Sequence, residues 1–324
     1  MVERLYLQPS LLATSIALIV CLAAGPCLAQ QPATDDVVRI NTDLVVLDAL
    51  VIAKKTGQPV RDLKATDFQL VVDDIKQDIT YFSEDQLPLS VLLLLDVSNS
   101  VIPFIEEVGQ SARNALERLK PQDEVAVMAF AIDTKVVQDF SRDRQLVSEK
   151  IMEASRVDTL GGGTFFNDAI RAALPLMEKA SNPVSRRVIL VVSDNISSQK
   201  GSDKHLIADL LEAGIVVYGL VVRGGIGKVL NILTVGRMHG LDDYSEATGG
   251  ELIGAKKSEI DDRLEKLIRH LRSRYSMGFK PPETTVDGKL HTIKLTISPT
   301  VLKQKGNLTV RTRNGYYLRR LHRK

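Results

Sequence analysis

Asp96, Ser98 and Ser100 occupy alternate positions in the run Asp96-Val97-Ser98-Asn99-Ser100, directly after the apolar stretch Val91-Leu92-Leu93-Leu94-Leu95. Side chains at alternate positions of an extended or gently curling loop point the same way, so one carboxylate and two hydroxyls can converge on one point. Oxygen donors of this kind suit a hard divalent cation, Mg²⁺, Mn²⁺ or Ca²⁺, and not zinc or copper. The same residue types are also preferred helix N-caps, and the run alone does not choose between the two roles. Two further segments bear on the choice. Leu160-Gly161-Gly162-Gly163-Thr164 sets a hydroxyl just past glycines that let backbone approach a ligand closely. Val188-Ile189-Leu190-Val191-Val192-Ser193 runs into Asp194.

These residues need elements that bring them together. Ser90 to Asp96, Glu124 to Ala131, Arg187 to Ser193 and Ile215 to Val222 are short continuous apolar runs, the pattern of strands buried on both faces. Val136-Val137 adds a short neighbour to the second run. Between them, Val101 to Leu119, Asn167 to Lys179 and Asp203 to Ala213 repeat apolar residues at helical spacing, and Ser258 to Arg274 is a further amphipathic helix. Gly224-Gly225 opens a stretch to Gly240 with no clear pattern. Strands and helices alternating over short connections predict a doubly wound, mainly parallel α/β sheet flanked by helices. Ligands of such sheets bind outside the carboxyl ends of the strands, where strand order reverses. Asp96, Ser98, Ser100, Thr164 and Asp194 are all expected at that edge.

The chain on either side has a period of two. Val38, Ile40, Thr42, Leu44, Val46, Leu50 and Ile52 fall on alternate positions of a half-buried strand. Asp67 to Asp73 and Ile79 to Phe82 also read as strands, as do Tyr275 to Phe279, Leu290 to Ile297 and Leu308 to Arg313. Pro281-Pro282, Asp287-Gly288 and Lys305-Gly306-Asn307 supply turns, and Tyr316-Tyr317 close a strand against a core. The expected organisation is a β-module from residues 30–87 and an α/β domain from 88–274. Strands in 275–318 return to the β-module, and a basic tail follows at 319–324.

Asp96-x-Ser98-x-Ser100, the distant Thr164 and the later Asp194, in this order and strand context, resemble the von Willebrand factor type A domain and its metal-ion-dependent adhesion site. Asn99 stands where that family commonly has glycine, a non-ligand position that bears on loop geometry more than on ligation. Asp67-Phe68, Val72-Asp73-Asp74, Ala247-Thr-Gly-Gly250, Arg274-Tyr-Ser-Met-Gly-Phe279 and Val310-Arg-Thr-Arg-Asn-Gly-Tyr-Tyr317 extend the resemblance to VWFA-related bacterial secreted proteins of the acidobacterial type. The resemblance implies that Ser98, Ser100 and Thr164 are neutral ligands and that Asp96 and Asp194 neutralise charge directly or through water. A position is left for the Asp or Glu carboxylate of a protein partner. The expected function is then cation-dependent protein binding, as an adhesion or scaffold module and not an enzyme.

Two alternatives stand beside it. One is a structural or assembly protein with a vestigial metal site. The other is a Mg²⁺-dependent phosphohydrolase, since a strand-end aspartate can act as a nucleophile. Such enzymes place a second Asp two residues later, where this chain has Ser98. The triple glycine lacks the Lys-Ser/Thr of a phosphate-binding loop, and no Gly-x-Ser-x-Gly elbow is present. The five histidines show no metal spacing, and His205 and His270 are expected on helix surfaces or boundaries.

Composition narrows the setting. The 324 residues are 44% hydrophobic with a formal charge of +2, ample for a core and too balanced for coating nucleic acid. Both cysteines, Cys21 and Cys27, lie near the start, which excludes disulfides and thiolate metal sites from the rest. They fall in an apolar run closed by Gly25-Pro26 and Cys27-Leu28-Ala29, the pattern of a signal peptide over residues 1–29 cleaved before Gln30. Export to the periplasm or beyond is therefore expected. The mature chain offers no segment apolar and long enough to span a bilayer. A thiol-free chain suits an oxidising compartment.

Overall fold

The computed structural model describes residues 44–84, 87–183, 185–199, 201–222, 240–281 and 288–317. The signal peptide, the strand pattern at Val38 to Thr42, the stretch from Gly224 to residue 239, the turn at Pro282 to Asp287 and the basic tail lie outside them.

Continuous apolar runs become the buried strands of one sheet. β1 (Val45–Ala53), β2 (Phe68–Val72), β3 (Ile75–Gln77) and β4 (Tyr81–Ser83) precede it. Its own strands are β5 (Leu89–Asp96), β6 (Glu124–Phe130), β7 (Thr134–Ser141), β8 (Arg186–Ser193), β9 (Ile215–Val222) and β10 (Leu252–Ala255). They lie in the order β10-β9-β8-β5-β6-β7. Every pairing is parallel except that of β7, which folds back antiparallel on β6. The chain first steps outward from β5 to β6 and β7, then returns to the other side of β5 with β8. That reversal makes the carboxyl ends of β5 and β8 the switch point of the sheet.

Helices cover both faces because β5, β6 and β9 bury every residue and β8 nearly so. α1 (Ile105–Leu116), α2 (Arg144–Ala154) and a later helix, Ile260–Arg272, share one apolar core with one face of the sheet. α3 (Phe166–Glu178), α4 (Lys204–Ala213) and α5 (Gly240–Thr248) share a second core with the other face. The helix Ile260–Arg272, α6, presents Ile260, Leu264, Leu267, Ile268 and Leu271 to the sheet. Among the described residues no helix is long and apolar enough to cross a membrane.

The period-two segments from the two ends form a second body. β11 (Arg274–Phe279) follows α6 with one intervening residue, and β12 (Leu290–Ile297), α7 (Pro299–Lys305), β13 (Leu308–Arg311) and β14 (Gly315–Tyr317) complete the chain. One sheet has the order β13-β1-β11-β4 and the other β14-β12-β2-β3, both antiparallel. Leu47, Ala49 and Val51 of β1 alternate inward to meet Phe68, Leu70 and Val72 of β2 and Ile293, Leu295 and Ile297 of β12. Tyr316 closes this core at 3% exposure.

The sandwich and the α/β part belong to one compact unit and meet through a buried polar layer. Arg186, at the start of β8, donates from Nε to Asp48 Oδ2 at 2.7 Å and from Nη2 to Asp48 Oδ1 at 3.3 Å. Arg274 donates to Tyr218 Oη and to the carbonyls of Gly249 and Asp48. Gly249, at φ +78°, brings its backbone against Thr312, where a Cβ would come within 2.3 Å of the Thr312 carbonyl carbon. The Ala247-Thr-Gly-Gly250 signature is thus a packing device between the two bodies.

Several elements differ from expectation. β7 is eight residues long, not a brief neighbour, and α2, α5, α7 and β10 have no counterpart in the periodicity reading. His205 is exposed at the start of α4, as expected, but His270 is buried at 1% exposure. The turn at Gly57 covers that end of α6, and His270 bonds through Nδ1 to Glu251 and through Nε2 to the Gly57 carbonyl.

Candidate metal centre

The strand ends set the site. β5 and β8 are adjacent and parallel with Leu95 opposite Val192, so Asp96 and Ser193 leave the sheet side by side. Ser193 donates to Asp96 Oδ2 at 2.5 Å. The Ser98 amide donates to Asp96 Oδ1 at 2.9 Å, which curls the loop over its own carboxylate. Thr164 arrives from the glycine loop. Its Oγ1 lies 3.0 Å from Ser98 Oγ and 3.4 Å from Asp96 Oδ2. Ser100 Oγ is 3.3 Å from Ser98 Oγ. Asp96, Ser98 and Thr164 are buried, Asp194 is half-buried, and Ser100 faces solvent.

The structure therefore brings four of the five sequence-identified residues into one chain of hydrogen bonds. The fifth, Asp194, is tied to its own loop, its Oδ1 accepting the Ile196 amide at 3.0 Å, and its charge is felt by Asp96. No helix-capping bond from Ser98 or Ser100 accompanies the following turns at Ile102 and Ile105, so the capping role has no support.

The electrostatics follow from burial. Removal from water is the largest influence on Asp96 and pushes its carboxyl up to about 6. Bonds from Ser193 and Ser98 pull the other way, and the Asp194 charge adds to the rise. Its hydrogen-bonding partners Ser98, Thr164 and Ser193 are all neutral. The donor set is a carboxylate with hydroxyls, and its oxygen separations of 3.0, 3.3 and 3.4 Å suit adjacent ligands of an octahedral Mg²⁺ shell, about 3 Å apart for bonds of about 2.1 Å. These residues fit a hard cation. Among the described residues no group of three or more His, Cys, Asp or Glu forms a different candidate.

One consequence is a pH dependence. In the folded protein Asp96 takes up its proton at about 6, and in the unfolded chain at its ordinary 3.8. Between these values the folded state holds a proton that the unfolded state has released, so stability rises as pH falls from 6 toward 4. The gain is on the order of 3 kcal/mol for so buried a group. Cation-free protein should melt higher at pH 5 than at pH 7, and Asp96→Asn should remove that difference.

Three supporting features are not evident from the sequence motif. Ser193 is a direct partner of Asp96, visible only once β5 and β8 are known to be neighbours. Asn99 rests on the glycine loop: its amide donates to the Gly162 carbonyl at 3.3 Å, and a Cβ at Gly162 would lie 2.5 Å from Asn99 Nδ2. Asn195 adopts φ +60°, a left-handed conformation that costs most side chains about 1–2 kcal/mol. Its Nδ2 donates to Asp242 Oδ2 at 2.9 Å on α5. This kink lies between Asp194 and Ile196, whose amide donates to the Asp194 carboxylate. Asn195→Gly should leave cation affinity near wild type, whereas Asn195→Ala should weaken it and cost about 1–2 kcal/mol in urea denaturation.

Residues 91–197 match the family model of the von Willebrand factor type A domain. No curated protein matches the chain significantly. Similar solved structures include the conserved hypothetical protein BatB from Bacteroides thetaiotaomicron, 17% identical over 57% of this chain and 100% of that one, with a TM-score of 0.43. The SpRpn10 VWA domain is 13% identical over 54% and 93%, at 0.40. Proximal thread matrix protein 1 from the mussel byssus, with a zinc-occupied MIDAS motif, is 16% identical over 61% and 48%, at 0.42.

Proposed function

Residues 91–197 are a von Willebrand factor type A domain, and on that premise we propose that the chain is an exported, non-catalytic binding module that engages an acidic residue of a protein partner through a divalent cation. A bound Mg²⁺, Mn²⁺ or Ca²⁺ supplies the positive centre to which the partner's Asp or Glu carboxylate attaches. Ser98, Ser100 and Thr164 hold the cation with neutral oxygens, and Asp96 and Asp194 offset its charge. Because the hydroxyl ligands are neutral, the cation stays attractive to an external carboxylate.

The observation that carries this reading is the buried Asp96 carboxylate, surrounded by hydroxyls at the switch point of the sheet. A buried carboxylate with only neutral hydrogen-bonding partners is costly unless a cation joins it. The test is capture of envelope proteins on the immobilised chain in Mg²⁺ and in EDTA. Proteins retained in Mg²⁺, released by EDTA and absent from an Asp96→Ala column support the proposal. An identical set on all three columns contradicts it.

Export rests on the leader pattern in residues 1–29 and the cysteine-free remainder. The exported protein should begin at Gln30 by mass spectrometry, and an intact Met1 terminus in the envelope would refute cleavage.

A further inference from the structure

The surface around the hydroxyl cluster is apolar as well as oxygen-rich. Ile102 is 55% exposed and Ile132 45% exposed, and each belongs to a segment touching the site. The Ile102 amide donates to the Ser98 carbonyl at 3.2 Å, so Ile102 sits one turn past a ligand candidate, with Pro103 exposed beside it. Ile132 lies in the turn between β6 and β7, and its amide donates to the Leu160 carbonyl at 3.0 Å. Its side chain spreads over the glycine loop. A Cβ at Gly161 would come within 2.9 Å of Ile132 Cδ1, and one at Gly163 within 3.4 Å of Cγ1. Thr164 is the next residue. One exposed isoleucine thus adjoins the Asp96 loop, and another adjoins the Thr164 loop.

We infer that the partner segment carries its acidic residue between apolar neighbours, which seat on Ile102 and Ile132. This rests on the cation-dependent reading above and specifies its ligand. The physical reason is water. A single carboxylate meeting a hydrated cation in open solvent gains little, because both are well solvated and the effective dielectric is high. Apolar side chains on each side exclude water from that contact and strengthen it, as near-neutral rims do around binding hot spots. Polar neighbours would leave both isoleucines wet and the central contact screened. The exposed glycines at 161 and 162, against Ile132 and Asn99, keep this surface low, which an extended peptide can follow.

The test is selection of random seven-residue displayed peptides on the full chain in Mg²⁺, with elution by EDTA. The expected peptides contain Asp or Glu with Leu, Ile, Val, Met or Phe adjacent. A selected peptide should bind the Ile102→Ser/Ile132→Ser double variant about 100-fold more weakly, while the variant keeps its Mg²⁺-induced thermal shift, which shows the fold and cation site intact. Acidic peptides with polar neighbours, or equal affinity for the double variant, would overturn the inference and leave the cation reading standing. Mg²⁺-driven dimerisation in sedimentation, without peptide selection, would also overturn it, since the occupant would then be a second copy. Peptides that EDTA does not release, or that bind Asp96→Ala equally, would remove the cation reading and this inference with it.

Discussion

Replacing Asp48 by alanine should lower stability by about 3–5 kcal/mol, far more than a surface substitution, because it strands a buried guanidinium. The Arg186 side chain is 2% exposed, and Asp48 meets it in the two-point geometry that suits arginine and carboxylate. Arg186 keeps only the Leu271 carbonyl and the Ser276 hydroxyl when Asp48 is lost. Urea denaturation measures the effect, and a loss under 1 kcal/mol would mean that the pair does not hold the sandwich to the α/β part. Replacing Arg186 and Asp48 together by apolar residues of similar volume should recover much of the loss, since a buried pair offsets its own desolvation and little more.

The same pair governs acid sensitivity. Burial alone would raise the Asp48 carboxyl, but the charge and hydrogen bonds of Arg186, with Arg274 and Ser276, outweigh it and hold the carboxyl below its ordinary 3.8. A depressed carboxylate stabilises the fold above the unfolded value and loses that contribution as pH falls toward the folded one. Wild-type protein should therefore lose stability below about pH 4, with a shallower slope in Asp48→Ala. This runs opposite to the contribution of Asp96, which favours the fold as pH falls from 6 toward 4. The two carboxylates separate cleanly by variant.

Replacing Asp96 by alanine should abolish cation binding while leaving the cation-free protein as stable as wild type or more so. The carboxylate is fully buried and held near a second negative charge, so its removal relieves a cost in the absence of metal. In wild type, a cation at about a hundred times its Kd adds about 2.7 kcal/mol, and Asp96→Ala should show none of it. A variant that unfolds without metal would assign Asp96 a structural role instead. Asp96→Asn keeps the shape and should behave like Asp96→Ala, because a neutral amide cannot offset the cation's charge.

The ligand candidates were legible because they are local. Asp96, Ser98 and Ser100 are fixed relative to each other by one short loop, and buried strands announce themselves as apolar runs ending on Asp96 and beside Asp194. The alternation that built the sandwich was legible for the same reason in β2, β11 and β12. In β1 the even-numbered residues expected on the inner face are the wrong phase: Leu47, Ala49 and Val51 enter the core, and Val46 is 48% exposed. Strand order was not, because it depends on contacts between segments far apart in the chain. Without it, nothing pairs Ser193 with Asp96 or Asp48 with Arg186. α2 fully buries only Val147, Ile151 and Ala154, too narrow a stripe to stand out. β10 is four residues with a glycine inside. His270 falls off the apolar stripe of α6 and reads as a surface residue until the Gly57 turn is seen to cover it.

The central claim is that Asp96, Ser98, Ser100, Thr164 and Asp194 hold a hard divalent cation. Titration of the metal-free full chain with Mg²⁺ and Mn²⁺, followed by thermal melting with EDTA as control, tests it most directly. A saturable rise in melting temperature by millimolar cation, reversed by EDTA and absent in Asp96→Ala, is the predicted result. An unchanged melting temperature in wild type, or the same rise in Asp96→Ala, would contradict it.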